Sequence, residues 1–278
     1  MQEAALETSL TPRPPYSLAL SARMRSDATR HFRDGILTMV FEADGAPCLA
    51  RVSQRPDGSL AVRLESRAAE AALELLRFVL AADEDHRPFL ERFADDPLLA
   101  SRLPRLRGLR PIRVATVTHA LLRALCGQLV QARAARRLEA RLLRLAAAEH
   151  EGLRLPPRRT TFGGYPTAQL VSHGLAARKA AALVRLSREV ELERLHAVPT
   201  DAAVARIVRE RGLGPWSAGV ICLEGLGRYE QGLVGDLGLI ELCASLLGRR
   251  AEAEDTADLL ARYDEWAGLA SVYLLAGA

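Results

Sequence analysis

Over the first eighty residues the apolar positions alternate or come in short bursts, the texture of strands. Residues 35–42 form one such segment. Residues 49–54 and 59–64 flank Pro56-Asp57-Gly58, a turn signal that predicts a hairpin. Residues 16–24 are a further candidate strand, and residues 1–15, which end in Pro12, Pro14 and Pro15, read as a loose arm. Ser66 then caps an alanine- and leucine-rich helix to about Ala82.

Past Asp83 the periodicity changes to that of helices. Short helical pieces broken by Pro88, Pro97, Pro104 and Pro111 run to Ile112. Helices are expected at about 116–126, 131–150, 167–172, 175–190 and 201–210, the last capped by Thr200 or Asp201. Residues 154–161 read as a polar, proline-rich loop. More helices follow at about 215–224, 237–247, 253–263 and 269–276. The pattern predicts a mainly α chain with a small N-terminal α+β antiparallel-sheet domain, residues 1–84, and a helical domain, residues 85–278. There is no internal repeat and no low-complexity tract.

Composition narrows the function classes. The 278 residues carry a formal net charge of +4, which fits nucleic-acid contact without demanding it. Lys179 is the only lysine among 38 basic residues, which leaves little room for lysine chemistry. Cys48, Cys126, Cys222 and Cys243 lie far apart, and neither they nor the six histidines show metal-ligand spacing. No secretory signal and no apolar run of membrane length is seen, so a cytoplasmic protein with no membrane partner is expected.

The chemistry concentrates in two segments. In Gly212-Leu213-Gly214-Pro215-Trp216-Ser217 a helix ends, two glycines turn the chain, and a new helix opens with proline in its first turn. The free amides of such a helix start suit a phosphate, so this is a candidate helix–hairpin–helix grip on a DNA backbone. A plain connection between helices fits the same residues. Twenty-two residues past Gly214, Asp236 stands in Val234-Gly235-Asp236-Leu237-Gly238, just before an apolar helix. Taken alone it reads as an N-cap. Taken beside the hairpin it is a carboxylate placed to stabilise the positive sugar that develops when a base–deoxyribose bond breaks.

Together, Gly-Leu-Gly, Trp-Ser-Ala and Gly-Asp-Leu-Gly-Leu at this distance resemble the helix–hairpin–helix DNA glycosylase superfamily, in particular the AlkA (DNA-3-methyladenine glycosylase II) type. Leu122–Val130 and His173–Ala180 resemble further family landmarks. The resemblance covers about residues 16–276 and is strongest over 116–247. It implies two helical subdomains flanking a cleft. It also implies a monomer that binds double-stranded DNA containing a damaged base, flips that base and hydrolyses the N-glycosidic bond.

Position by position, the resemblance makes Asp236 the catalytic carboxylate and Gln128 and Leu129 the wedge that fills the hole in the duplex. Gly212, Gly214, Pro215 and Ser217 become the phosphate grip. Trp216, Val220 and Leu269 become the base pocket. No cofactor is implied beyond a possible structural Na+ or K+ on the backbone carbonyls of Val208, Glu210 and Leu213. Without the family, Leu129 reads as a core leucine and Trp216 as a packing tryptophan. Trp216 stands where bifunctional relatives carry a lysine, which implies base release without strand cleavage. Val220 and Leu269 replace aromatic residues of the family pocket, which leaves three readings open. The lesion is an alkylated base, or a different one such as an oxidised base, or the chain is a non-catalytic sensor of damaged DNA.

Overall fold

The computed structural model describes residues 5–23 and 26–276. Part of the predicted arm is a strand. β1 (Ala5–Leu10) lies antiparallel to β5 (Leu60–Glu65), with Leu10 opposite Leu60. Residues 1–4 of the expected arm lie outside the described residues. The segment 16–24 is also corrected: it forms α1 (Leu18–Ala22), because the Ser17 hydroxyl accepts the Leu20 N–H at 3.3 Å and caps a helical turn. Met24 lies outside the described residues.

β2 (Arg30–Arg33), β3 (Ile36–Ala43) and β4 (Ala46–Gln54) complete a five-stranded antiparallel sheet in the order β1-β5-β4-β3-β2. Asp34-Gly35 and Asp44-Gly45 make its two tightest turns, all four residues at positive φ, the conformation Asp-Gly adopts readily. α2 (Ala69–Val79) buries Ala72, Leu76 and Val79 against Leu37, Phe41, Val52 and Leu64 of the sheet. It starts later than expected: Ser66 Oγ accepts the Ala68 N–H at 3.2 Å, ahead of the first helical residue.

α3 (Arg87–Arg92) is followed by proline-broken turns. α4 (Val117–Gly127) is capped by Thr116, whose hydroxyl accepts the His119 N–H at 3.1 Å, and α5 (Ala132–Ala146) follows a four-residue loop. A small hairpin, β6 (Glu149–His150) and β7 (Leu153–Arg154), comes next. α6 (Arg159–Gly163), α7 (Thr167–Ser172), α8 (Ala177–Glu189) and α9 (Thr200–Val208) complete the middle of the chain. The segment 154–161 is therefore a strand end and a helix start joined by four residues of irregular chain, 155–158. Pro199, not Thr200 or Asp201, is the N-cap of α9.

α10 (Pro215–Val220) continues into a π-helical turn, Ile221–Leu226. α11 (Leu237–Leu247), α12 (Ala253–Ala261) and α13 (Ala267–Ala276) end the fold. α4 is the central helix: Val117, Ala120, Leu121, Leu122 and Leu125 are buried on several sides against α5, α8, α10 and the π turn. No helix among the described residues is long and apolar enough to cross a membrane.

Buried arginines join sheet and helices. Arg110 donates to the carbonyls of Arg13 (2.6 Å), Pro15 (3.2 Å) and Ala81 (2.9 Å). Arg30 donates to the Arg113 carbonyl at 2.6 Å and pairs with Asp27 at 3.2 Å. Such buried cations are tolerated only because carbonyls and carboxylates surround them.

Candidate active site

The turn between α9 and α10 is closed by the Leu213 N–H donating to the Glu210 carbonyl at 3.0 Å. Gly212 takes φ +95, a conformation open to glycine. Gly214 is the extended N-cap of α10 and Pro215 its first residue, so the early amides of α10 have no side-chain cap. Gly212 and Pro215 are exposed, which leaves the turn accessible. Ser217 is different: its side chain is buried, and its Oγ accepts the Gln128 amide at 2.9 Å. Its hydroxyl ties the protein together, and only its backbone amide belongs with the turn.

Asp236 is the N-cap that the sequence suggested, and it also faces the cavity. One carboxylate oxygen accepts the Gly238 N–H at 2.9 Å and caps α11. The other accepts the Trp216 indole N–H at 3.0 Å, across a cavity of about 810 Å3 that both residues line. The loop that delivers Asp236 is braced from behind. The Leu233 N–H donates to Ser271 Oγ at 3.1 Å and the Gly235 N–H to Thr256 Oγ1 at 2.8 Å. Gly235 sits at φ +83.

The loop between α4 and α5 forms the opposite lip. Leu129 is 88% exposed and in the left-handed region at φ +57, so it is not the core leucine of the alternative reading. Gln128 beside it is not free. Its amide donates to the Gly212 carbonyl at 2.7 Å as well as to Ser217, which ties the loop to the hairpin. Val220 lines the cavity. Leu269 does not: it is fully buried in α13 within the helical core, because α13 turns that face away from the cavity, and this part of the expected pocket is corrected.

No family model matches the chain. The DNA-3-methyladenine glycosylase of Bacillus subtilis (strain 168) is 23% identical over 277 residues, covering 93% of this chain and 91% of that protein. Among solved structures, the 3-methyladenine DNA-glycosylase from Archaeoglobus fulgidus matches with a TM-score of 0.82 at 21% identity over 97% of each chain. The apo form of Clostridium acetobutylicum 8-oxoguanine glycosylase/lyase matches with a TM-score of 0.78 at 15% identity over the whole of both chains. The fold is that of the helix–hairpin–helix glycosylases.

Within this glycosylase fold, several residues without an expected role shape the cavity. Gly127 is one: a Cβ there would meet Trp216 Cη2 at 2.5 Å, so the indole lies where only glycine leaves room. Lys179 is another. Its amine donates to the Gln128 carbonyl at 2.9 Å, does not line the cavity, and holds the Leu129 loop.

Members of a charged cluster, Asp27, Arg123, Glu139 and Glu224, also line the cavity. Arg123 donates to Glu139 (2.9 Å), Glu224 (2.7 Å) and Asp27, and His119 Nε2 lies 2.6 Å from Glu139. Burial pushes the Asp27 carboxyl up, but the guanidinium groups of Arg30 and Arg123 outweigh it and hold the group below its ordinary range. Glu139 is lowered in the same way, chiefly by Arg123 against its burial. The signal that could have pointed to this cluster is a charge at an inward position of a helix. Arg123 interrupts Leu121-Leu122-Arg123-Ala124-Leu125, and Glu139 precedes Leu142 and Leu143 on the buried face of α5.

Among the described residues no group of three or more His, Cys, Asp or Glu could hold a metal. At the hairpin, the Glu210 carbonyl already receives the Leu213 N–H. The Glu210 carboxylate is paired with Arg185 at 2.6 Å and with Arg206.

Proposed function

We propose that the chain is a monofunctional DNA glycosylase that flips an alkylated base from duplex DNA into the cavity and hydrolyses its N-glycosidic bond, leaving an abasic site. The observation that carries this reading is the position of Asp236, with its carboxylate fixed by Gly238 and Trp216 on a cavity bordered by the glycine hairpin and by Leu129. In this reading the amides of α10 grip a phosphate, and Leu129 enters the stack in place of the flipped nucleotide. Trp216 offers its face to the base. As the C1′–N bond breaks, its electron pair leaves with the base and positive charge develops on the sugar beside Asp236. Water then bonds to C1′ and loses its proton. An alkylated, cationic base departs neutral, so one carboxylate suffices without a separate acid.

The reading of base release without strand cleavage rests on Trp216, which stands where a nucleophilic lysine would be needed. It rests also on Lys179, whose amine is held at the wedge loop. The names of the Bacillus subtilis and Archaeoglobus fulgidus proteins favour an alkylated base over an oxidised one.

The test uses oligonucleotides carrying 3-methyladenine, 7-methylguanine, hypoxanthine or 8-oxoguanine, scored for base release and, separately, for strand breaks before alkali. Release of alkylated bases with intact strands is expected. Asp236→Asn should lower release by at least about a hundredfold while keeping duplex affinity. Parental release by that variant, or breaks before alkali, would overturn the corresponding part of the reading.

A further inference from the structure

The exposed side of α5 carries charge that the site described above does not use. Arg133, Arg136, Arg137, Arg141 and Arg144 are all exposed there, and the acidic residue of this helix, Glu139, is buried. With about 100° per residue, Arg137, Arg141 and Arg144 fall at roughly 40°, 80° and 20° from Arg133, one narrow stripe. Ala132, Ala135 and Glu139 fall on the neighbouring face, and these line the cavity. Arg136 lies between the two faces and borders both the cavity and a shallow groove of about 410 Å3 along the stripe.

Arg133, Arg137 and Arg144 have no carboxylate partner among the described residues, and Arg141 donates to the His173 carbonyl at 3.2 Å. Elsewhere on the surface, arginines such as Arg63, Arg87, Arg92 and Arg249 are neutralised by nearby acids. The stripe begins four residues after exposed Leu129, on the helix whose Ala132, Ala135 and Arg136 line the same cavity as Gly214 and Pro215 of the hairpin. From Arg133 to Arg144 it extends about 16 Å at 1.5 Å per residue, a length over which a duplex presents several phosphates of each strand.

We propose that this stripe is a second contact for the DNA backbone, separate from the hairpin, so that the duplex is held on both sides of the opening through which a base is flipped. The proposal rests on the DNA-binding part of the reading above. Holding two points favours flipping, because extra backbone contacts repay the cost of deforming and unstacking the duplex. Guanidinium groups suit such a contact, because they stay charged and bind phosphate oxygens through paired N–H donors. The contact is blind to sequence, as backbone contacts are.

The experiment measures the affinity of the full-length chain for an undamaged duplex as a function of KCl concentration. It compares the parent with Arg133→Gln/Arg137→Gln/Arg144→Gln and with the corresponding triple lysine variant. Each phosphate contact contributes about 0.9 to the slope of log affinity against log salt. The glutamine variant is therefore expected to lose about 2.7 of that slope, with the lysine variant keeping most of it. An unchanged slope in the glutamine variant overturns the proposal, and so does an equal loss in both variants, which would mark a structural role. A parent that binds with no salt dependence overturns both this proposal and the DNA-binding reading. A parent that binds with the expected slope but releases no base from the lesion panel ends the glycosylase reading alone and leaves the stripe standing.

Discussion

At the scale of single residues, Gly127 and Trp216 are one device. The indole occupies the volume a Cβ at 127 would need, and from there its N–H reaches Asp236. Gly127→Ala is therefore expected to push the ring away from α4 and loosen the carboxylate it orients. A displacement of this kind can cost up to about a hundredfold in rate. Single-turnover base release should fall by that order while duplex affinity stays near the parent's, since the hairpin is untouched. Full activity in Gly127→Ala would show that the position of the indole is not needed. Trp216→Phe separates the two contributions of the indole. It keeps a ring to face a base and removes the bond to Asp236, so it should lower the release rate more than it lowers affinity for a duplex with a stable abasic analogue.

At the scale of elements, the loop between α4 and α5 differs from everything around it. Its leucine faces solvent, and its backbone is fixed by Gln128 on one side and Lys179 on the other. Leu129→Ala should leave the melting temperature within about a degree or two, because exposed substitutions rarely change stability by more than about 0.5 kcal/mol, yet it should slow base release. A stability loss of about 2–5 kcal/mol would instead mark Leu129 as a packing residue. The fold's elements were unevenly legible. The long amphipathic helices show their apolar stripes plainly, and the Gly-Leu-Gly turn and Asp236 lie close enough in sequence to be read as one motif. β1 is hidden because the apolar residues of Ala5–Leu10 do not alternate strictly with polar ones, and the edge strand is held through its pairing with β5. α1 resembles a strand in sequence because its five residues are too few for helical periodicity to show, leaving the Ser17 cap as the main sign. β2 is hidden because three of its four residues, Arg30, His31 and Arg33, are basic or imidazole side chains, which leaves Asp34-Gly35 as its main sign. Leu269 shares a helix with residues that face several directions, so spacing alone could not tell core from cavity.

At the scale of the whole molecule, the charged cluster links the sheet side of the chain to the helices. Asp27 and Arg123 are 96 residues apart in sequence, and no local pattern foretells that they meet. Replacing Arg123 with Met leaves three carboxylates short of a partner, two of them deeply buried, and is expected to cost about 3–5 kcal/mol, read by denaturant unfolding. The acid limb follows from Asp27. Its carboxyl is held below the ordinary value of 3.8 in the folded chain. Its contribution is therefore complete above that value and is lost as pH falls below it. The melting temperature should drop as pH is lowered through about 4. Asp27→Asn should melt lower at neutral pH and lose less on acidification; a parallel acid limb in parent and variant would remove Asp27 from the account. The π turn that follows α10 gives this network its aim. Four residues of α-helix carry a side chain about 40° past a full turn, whereas four residues of an i→i+5 ladder at roughly 4.4 per turn leave it about 33° short. The two offsets nearly cancel, so Trp216, Val220 and Glu224 fall into line on one wall of the cavity. With ordinary α-helical phase through 221–226 and no change of length, Glu224 would fall about 80° from Trp216 and off that line. The wider winding of this one turn thus lets the carboxylate that meets Arg123 share a chamber with the indole.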